Sequence, residues 1–524
     1  MVRSLERALT DAVRAAELGA DLIEFRLDDF ADHFNDVPTL VEQSPLPCIL
    51  TCRPTWEGGH FTGSDDDRAE LLKLLADTQT QPAYIDIELA AYQRSPKLRD
   101  AVNDVVDHPG QIGSTTTGLI LSSHDFESRP ADLYQRIEAM AAAPACRVIK
   151  VAWRARSLRD NLEAFEILSQ RHKPTIALCM GPYGLPSRVL ARKFGALLTF
   201  ASLDEQSASA PGQPTVDELK RLYRWDAINA QTRVYGVIGY PVGHSLSPHI
   251  HNAGFTAAQY NGVYLPMPIP PEYEHFKATV GSWLDMPSLH FRGASVTIPH
   301  KENLLRFVEE RGGRIDPLAQ QIGAANTLIV ADDGTLEAVN TDCLAARDAV
   351  CDNLGIDPSE LASMRVAVIG AGGAARAVVA GFARHGATVV IYARNLEKAQ
   401  ALVDAMHDLP GAGKIVAVRL EKLCDSCCQV YINCTPLGMH PDVNSTPMPR
   451  EKMTPGKGWG PGTVVFDTVY NPVNTRFLRE ARAAGCVTIP GTEMFLRQAA
   501  AQFRHWTGQD APMDIFEKTL TAHL

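Results

Sequence analysis

The chain lacks any block of basic residues, any repeat and any low-complexity tract, and each absence removes a class of function. With 61 acidic against 50 basic side chains its formal net charge is −11, which argues against nucleic acid or an anionic membrane surface as partner. It also lacks a membrane-span pattern: the longest apolar stretch, residues 366–383, is broken by Gly370, Gly372, Gly373 and Arg376 and reads as strand, turn and helix. The opening "MVRSLERALTDAVRAAELGA" carries an amphipathic helix pattern where a signal peptide would have a continuous apolar core. Cysteines number eleven, odd and scattered, as in a reducing compartment, so a cytoplasmic location is expected. One cluster, "CDSCC" (424–428), has no second CxxC or nearby CxxH, and no metal is expected there.

What is present is an ordinary globular composition, 45% hydrophobic and 21% charged, over 524 residues. That length is too great for one core and suggests two to four domains. Up to about residue 229, short apolar strands alternate with helical patterns: "LIEFRLD" (22–28), "CILTCRP" (48–54), "AYIDIEL" (83–89), "GLILSSHDF" (118–126), "RVIKVAW" (147–153), "TIALCMG" (175–181) and "LLTFASL" (197–203). This rhythm predicts an α/β fold with a parallel sheet covered by helices, of the (β/α)8-barrel type. Only seven strands are found, and the chain opens on the first helix with Met1 and Val2 ahead of it. The first barrel strand is therefore expected to be missing, leaving seven strands and a gap between first and last. A truncated start is the favoured explanation, and substitute pairing is the other.

Lys150 stands among Val148, Ile149, Val151 and Ala152. An ammonium in an apolar strand is costly unless paired or neutral. It is either a lysine snorkelling from a strand end or an amine kept for carbonyl chemistry. Period two puts it on one face with Val148 and Ala152, so it can point into a barrel. Glu24, Arg26, Arg53, His124 and Asp125 fall at or near strand C-termini, where barrels place their chemistry.

The motifs "EFRLD", "TCRPTWEGG", "SSHDF", "IKVAW", "GLPSRVLARKFGALLTF" and "SASAPGQ" occur in this order, and through them the first half resembles the type I 3-dehydroquinate dehydratases. The resemblance implies that Lys150 forms a Schiff base with the ketone of 3-dehydroquinate. It further implies that His124 removes a proton and returns it to the leaving hydroxyl, with Glu57 orienting it. Arg188 would grip the substrate carboxylate as a fork, Ser209 and Gln213 would close over that end, and Glu24, Arg26 and Arg53 would bind hydroxyls.

From residue 230 the rhythm restarts. A second α/β region runs to 343, followed by "VAVIGAGGAARAV" (366–378), a strand, glycine turn and helix start. Gly370, Gly372, Gly373 and Ala374 would let backbone amides approach a pyrophosphate at a helix N-terminus. At the end of the next strand stands "YARNLEK", with Arg394 and Lys398 and no acid before Glu397. Cations there suit a 2′-phosphate, so the expected cofactor is NADP. The last thirty residues have helical patterns and are expected to pack on residues 230–343.

Through "GYPVGHSLSPHIHN" (239–252), "GASVTIPHKE" (293–302), "GAANTL", "NTD", "DTVYNP" and "GTEMFLRQAA", this half is similar to the shikimate dehydrogenases. The resemblance implies a substrate set of Ser245, Ser247, Thr297, Asn326, Tyr470 and Gln498, with Thr435, Gly438, Met439, Gly491 and Met494 lining the nicotinamide. Lys301 and Asp342 match the proton-transfer dyad. Ser295 departs from a frequent Asn, and Asn395 from a usual Thr or Ser.

Together the two resemblances imply successive steps, dehydration of 3-dehydroquinate and NADPH-dependent reduction to shikimate. The expected division is a dehydratase barrel (1–229), a substrate domain (230–343 with helices in 492–524) and a Rossmann domain (344–491). Two alternatives stand beside this reading: a quinate dehydrogenase carrying a catabolic dehydratase, and a barrel that only binds and stabilises.

Overall fold

The computed structural model describes residues 1–76, 80–111, 114–207, 210–425, 427–448, 450–453 and 459–524. It divides into two compact units, one of Met1–Thr232 with Gly281–Leu289, the other of Arg233–Val280 with His290–Leu524.

In the first unit six strands form one parallel sheet in chain order: β1 (Ile23–Arg26), β2 (Cys48–Thr51), β3 (Tyr84–Glu88), β4 (Gly118–Asp125), β5 (Cys146–Arg154) and β6 (Thr175–Met180). Helices such as Asp65–Ala76 and Asp160–Ser169 connect them. Alternation along the strands sends Ile49, Ile120, Val148, Ala152, Ile176, Leu178 and Met180 into one apolar cluster, joined by Leu22, Leu198 and Phe200. These are the residues in phase with Lys150, so the lysine rises from the same inner face.

The expected seventh strand, 197–203, is not a strand. Leu197 N–H donates to Thr175 O, but Ser202 then bridges to Thr215 instead of continuing beside β6. Its backbone partners belong to the loop that follows, so no ladder forms, although Leu198 and Phe200 still cover the interior. Six strands are thus present among the described residues where seven were expected, with β1 and β6 as the sheet's two edges. Val2 N–H donates to Arg26 O at the end of β1.

The second unit holds two sheets. In the first are β7 (Arg233–Gly239), β8 (Gly262–Pro268), β9 (Phe291–Val296), β10 (Arg314–Ile315), β11 (Thr327–Val330) and β12 (Leu336–Val339), in the order β10-β12-β11-β9-β7-β8. Only β11 runs antiparallel to its neighbours. Its start therefore lies at the edge where β7, β9 and β12 end. The other sheet, all parallel, contains β13 (Arg365–Ile369), β14 (Thr388–Ala393), β15 (Ile415–Arg419), β16 (Val430–Asn433), β17 (Val464–Asp467) and β18 (Val487–Ile489). The order β15-β14-β13-β16-β17-β18 is the doubly wound nucleotide-binding arrangement. Helices Gly491–Thr507 and Met513–Ala522 bury Phe495, Phe503, Trp506 and Phe516 against Tyr235 and Tyr264 of the first of these sheets and Phe255 of the helix Ser247–Ala257.

Candidate active sites

In the first unit a cavity opens among Glu24, Arg26, Arg53, Glu57, His124, Lys150, Arg188 and Gln213, walled by Phe126, Leu178, Met180 and Phe200. Eight of the nine residues expected here thus meet; Ser209 lies outside the described residues. Lys150, 5% exposed, is paired: Nζ is 2.7 Å from Asp86 Oδ2 and 3.7 Å from Glu24 Oε1, with the Phe200 ring centroid at 4.3 Å.

Asp86 was not singled out from the sequence, and it anchors a row of buried charges. Arg53 Nη2 donates to Asp86 Oδ1 at 2.7 Å, and Nη1 donates to Glu88 Oε1 and Ser122 Oγ, both at 2.8 Å. Arg68 Nη1 donates to Glu88 Oε2 at 2.6 Å. Arg68, Glu88, Arg53, Asp86 and Lys150 therefore alternate in sign through the interior. Burial pushes the Asp86 carboxyl up, but Arg53 and Lys150 together outweigh burial and hold it well below the usual range. Asp86 and Glu88 sit two apart in "AYIDIEL", inside an apolar strand. The reasoning applied to Lys150 would have found them. Arg26 is likewise engaged, its Nε and Nη2 donating to the two oxygens of Asp28 at 3.1 and 2.6 Å.

His124 lies two residues beyond Ser122, which pairs with Lys150 in register, so both face inward from adjacent strands. Glu57 Oε1 accepts the His124 backbone N–H at 2.8 Å and stands 3.0 Å from Nδ1. Burial lowers the imidazole well below its ordinary value, and the Arg53 and Lys150 cations push the same way. Burial pushes Glu57 up to about 8, against the pull of Arg53. Arg188 is 1% exposed, and its Nε and Nη2 atoms find no hydrogen-bond partner among the described residues. Burial draws this guanidinium down to about 10, still a cation at neutral pH. A buried guanidinium fork with a free edge suits a carboxylate.

In the second unit the expected substrate residues collect where β7, β9 and β12 end and β11 begins. Ser245 and Ser247 follow β7, Thr297 and Lys301 follow β9, Asp342 follows β12, and Asn326 precedes β11. Lys301 Nζ meets Asp342 Oδ2 at 2.5 Å. Ser245 Oγ accepts the Ser247 N–H, and the Tyr470 hydroxyl faces Ser245. Asn326 is already occupied: it donates to Thr341 Oγ1 and accepts from Thr341 N–H and Thr327 Oγ1. Ser295, the departure from Asn, belongs to a relay in which Tyr264 donates to Ser295 Oγ (2.6 Å) and Ser295 to Gln502 Oε1 (2.7 Å). Gln502 was missed because its partners lie 175 or more residues away. Gln498 is buried on the same helix and donates to Phe495 O.

Gly370 follows β13 at the switch between β13 and β16, and its φ of +113° is one that side-chain-bearing residues rarely adopt. A Cβ on Gly373, where the next helix starts, would stand 3.2 Å from Lys301 Cδ. A glycine there lets the nucleotide-binding turn approach the lysine. Gly372 has open space around its Cα, and Ala374 continues the helix start. Arg394 and Lys398 are exposed just past β14, and Asn395 caps the helix Leu396–Ala405 by accepting Lys398 N–H. Thr435 donates its Oγ1 hydrogen to Asn433 Oδ1 (2.6 Å), while Asn433 donates to Asp467. Gly438 N–H bonds Ser445, Met439 is exposed, and Gly491 and Met494 lie buried near the start of their helix. This turn, helix start and pair of exposed cations fit NADP.

Profiles of known families match in the same order along the chain: type I 3-dehydroquinase over residues 1–230 and the shikimate dehydrogenase substrate binding domain over 237–328. The shikimate/quinate 5-dehydrogenase profile matches 355–432, and the shikimate 5′-dehydrogenase C-terminal domain matches 491–521. A chloroplastic bifunctional 3-dehydroquinate dehydratase/shikimate dehydrogenase of Arabidopsis thaliana is 38% identical, over the whole of this chain and 83% of the relative. The chain belongs to the bifunctional 3-dehydroquinate dehydratase/shikimate dehydrogenase family. It is both a lyase and an NADP-dependent oxidoreductase of the shikimate pathway. The NADP(+) shikimate dehydrogenase of Methanosarcina mazei is 40% identical over 55% of this chain and 97% of the relative. A crystal structure of a shikimate dehydrogenase in complex with NADP+ is similar with a TM-score of 0.50 at 33% identity, covering 56% of this chain and 96% of that one. Among the described residues no helix is long and apolar enough to cross a membrane.

Proposed function

We propose that Lys150, His124 and Glu57 carry the dehydration, and Lys301 and Asp342 the proton transfer of the reduction. The observation that carries the first assignment is the buried Lys150 in a cavity shared with the His124 imidazole, held neutral by burial and nearby cations, and with Arg188, whose Nε and Nη2 have no partner among the described residues. Arg188 holds the 3-dehydroquinate carboxylate and so presents its ketone to Lys150. Condensation makes an iminium, and His124 takes the adjacent C–H proton, then returns it to the departing hydroxyl. Glu57 holds the imidazole through Nδ1, leaving Nε2 for the substrate. Gln213 closes the carboxylate end, and Glu24, Arg26 and Arg53 edge the hydroxyl side.

In the second unit, NADPH when bound supplies hydride to the 3-dehydroshikimate carbonyl. Lys301 then gives a proton to the oxygen that becomes the hydroxyl, and Asp342 holds the lysine in place. Ser245, Ser247 and Tyr470 bind the carboxylate, with Thr297, Asn326 and Gln498 around the ring. Gly370, Gly372, Gly373 and Ala374 receive the pyrophosphate, Arg394 and Lys398 the 2′-phosphate. Thr435, Gly438, Met439, Gly491 and Met494 line the nicotinamide.

The domains divide at 229/230 and 343/344, with 492–524 returning to the substrate domain. Free cysteines, buried in the main, support a cytoplasmic location, although the Arabidopsis relative is named as chloroplastic. Borohydride added with 3-dehydroquinate tests the first assignment: a covalent adduct on Lys150 is expected, and its absence, or its persistence in Lys150→Ala, refutes it.

A further inference from the structure

We propose that Asp86 is a further catalytic residue of the dehydratase, the counter-ion that keeps the Lys150 iminium protonated. The proposal rests on the Schiff-base reading above and adds a group to it. Its ground is geometric. Asp86 is fully buried, and its Oδ1 is taken by Arg53 Nη2 at 2.7 Å and by the Ser122 hydroxyl at 2.5 Å. That leaves Oδ2 to Lys150 Nζ, at 2.7 Å. Glu24, the other nearby carboxylate, is farther at 3.7 Å and already accepts the Thr51 hydroxyl.

The charge balance explains why such a partner is useful. In the net condensation of protonated Lys150 with a ketone, one proton leaves nitrogen before its lone pair attacks the carbonyl carbon and a second leaves as the carbinolamine collapses; the C=N bond forms, the C–O bond breaks, and the oxygen departs as water with those two hydrogens. The positive charge stays on nitrogen, now as an iminium with one N–H. A counter-ion built for the ammonium thus serves the iminium without moving. That remaining proton matters, because only the protonated form withdraws electrons strongly enough to acidify the neighbouring C–H. Loss of the C–H proton to His124 gives a neutral enamine, and expulsion of the hydroxyl with that proton restores the iminium. Asp86 meets the same cation at both ends of this sequence. Arg53 and Glu88, with Arg68 behind them, hold its carboxylate charged and in place.

The test compares wild type, Asp86→Asn and Asp86→Glu, with circular dichroism and thermal melting of each as the measure of folding and the dehydrogenase rate as the measure of enzyme concentration. Around the Lys150 nitrogen stand Asp86, Glu24, Arg53, His124 and the Phe200 ring, and only the first is altered. Asp86→Asn should lower dehydratase kcat by roughly 100-fold or more. The alkaline limb of its pH profile should move down by about two units as the iminium loses its proton earlier. Borohydride should still trap an adduct on Lys150 near pH 6, and Asp86→Glu should return the limb toward the wild-type position. A wild-type kcat and an unmoved limb in Asp86→Asn would overturn the counter-ion role while leaving the Schiff base standing. No adduct in the wild type would instead overturn the Schiff base itself. Should Asp86→Asn not fold, the wild-type product complex decides: its C=N stretch must stay sensitive to deuterium exchange well above pH 8, and loss of that sensitivity near neutrality contradicts the proposal.

Discussion

Lys301 and Asp342 are each the first residue of a helix, Lys301–Glu310 and Asp342–Leu354, and the two helix starts bring Nζ and Oδ2 to 2.5 Å. A helix N-terminus is a favourable place for a carboxylate, and Asp342 accepts the Lys301 Nζ–H there. Asp342→Asn keeps the shape and removes the charge. Shikimate oxidation should fall by about 10²–10⁴-fold, chiefly in kcat, while dehydration of 3-dehydroquinate stays at the wild-type rate. Initial rates of both reactions on one preparation check this, and equal losses in both would point to general misfolding.

Arg188→Met should raise the KM for 3-dehydroquinate by about 10–100-fold, the equivalent of a charge-assisted hydrogen bond of about 1.5–3 kcal/mol. Because the unpaired Nε and Nη2 atoms are buried, the variant also loses a desolvation cost, and its melting temperature should not fall. An unchanged KM would remove Arg188 from the carboxylate site.

These sites differ in how much of them was visible beforehand. Lys150, His124, Glu57, Lys301 and Asp342 stand in short motifs, and a charge in an apolar strand announces itself. What a linear reading does not show is which strands become neighbours. Asp86 and Glu88 carried the same signal as Lys150, yet their meaning depends on β3 lying beside both β2 and β4. Ser295 and Gln502 are 207 positions apart, and no local pattern joins them. The stretch "LLTFASL" shows the opposite failure. Its residues suit a strand, but a strand needs a ladder, and Ser202 finds its partners in its own following loop. The helix starts, the glycine turn and the nucleotide-binding sheet are local or repeating features, and were legible for that reason.

Cofactor choice follows from Arg394, exposed just past β14. Arg394→Ala should raise the KM for NADP+ by about tenfold or more, and that for NAD+ little, since only the former carries the 2′-phosphate. Measuring both constants decides it. Equal changes would mean that the side chain supports the fold and not the phosphate.

The pH dependence of dehydration follows from His124. Burial, Arg53 and Lys150 hold its imidazole well below 6.5, so the neutral base persists as the pH falls through that value. The kcat/KM profile for 3-dehydroquinate should therefore remain level through pH 6.5 and decline only at clearly lower pH. A half-maximal acid limb at 6.5 would show an ordinary, solvated histidine.

That one chain performs both steps is tested most directly by giving the purified protein 3-dehydroquinate and NADPH, with no other enzyme, and following absorbance at the nicotinamide band. NADPH should be oxidised with one equivalent consumed per 3-dehydroquinate, and Lys150→Ala should stop this until 3-dehydroshikimate is supplied. NADPH left untouched until a separate dehydratase is added would contradict the account.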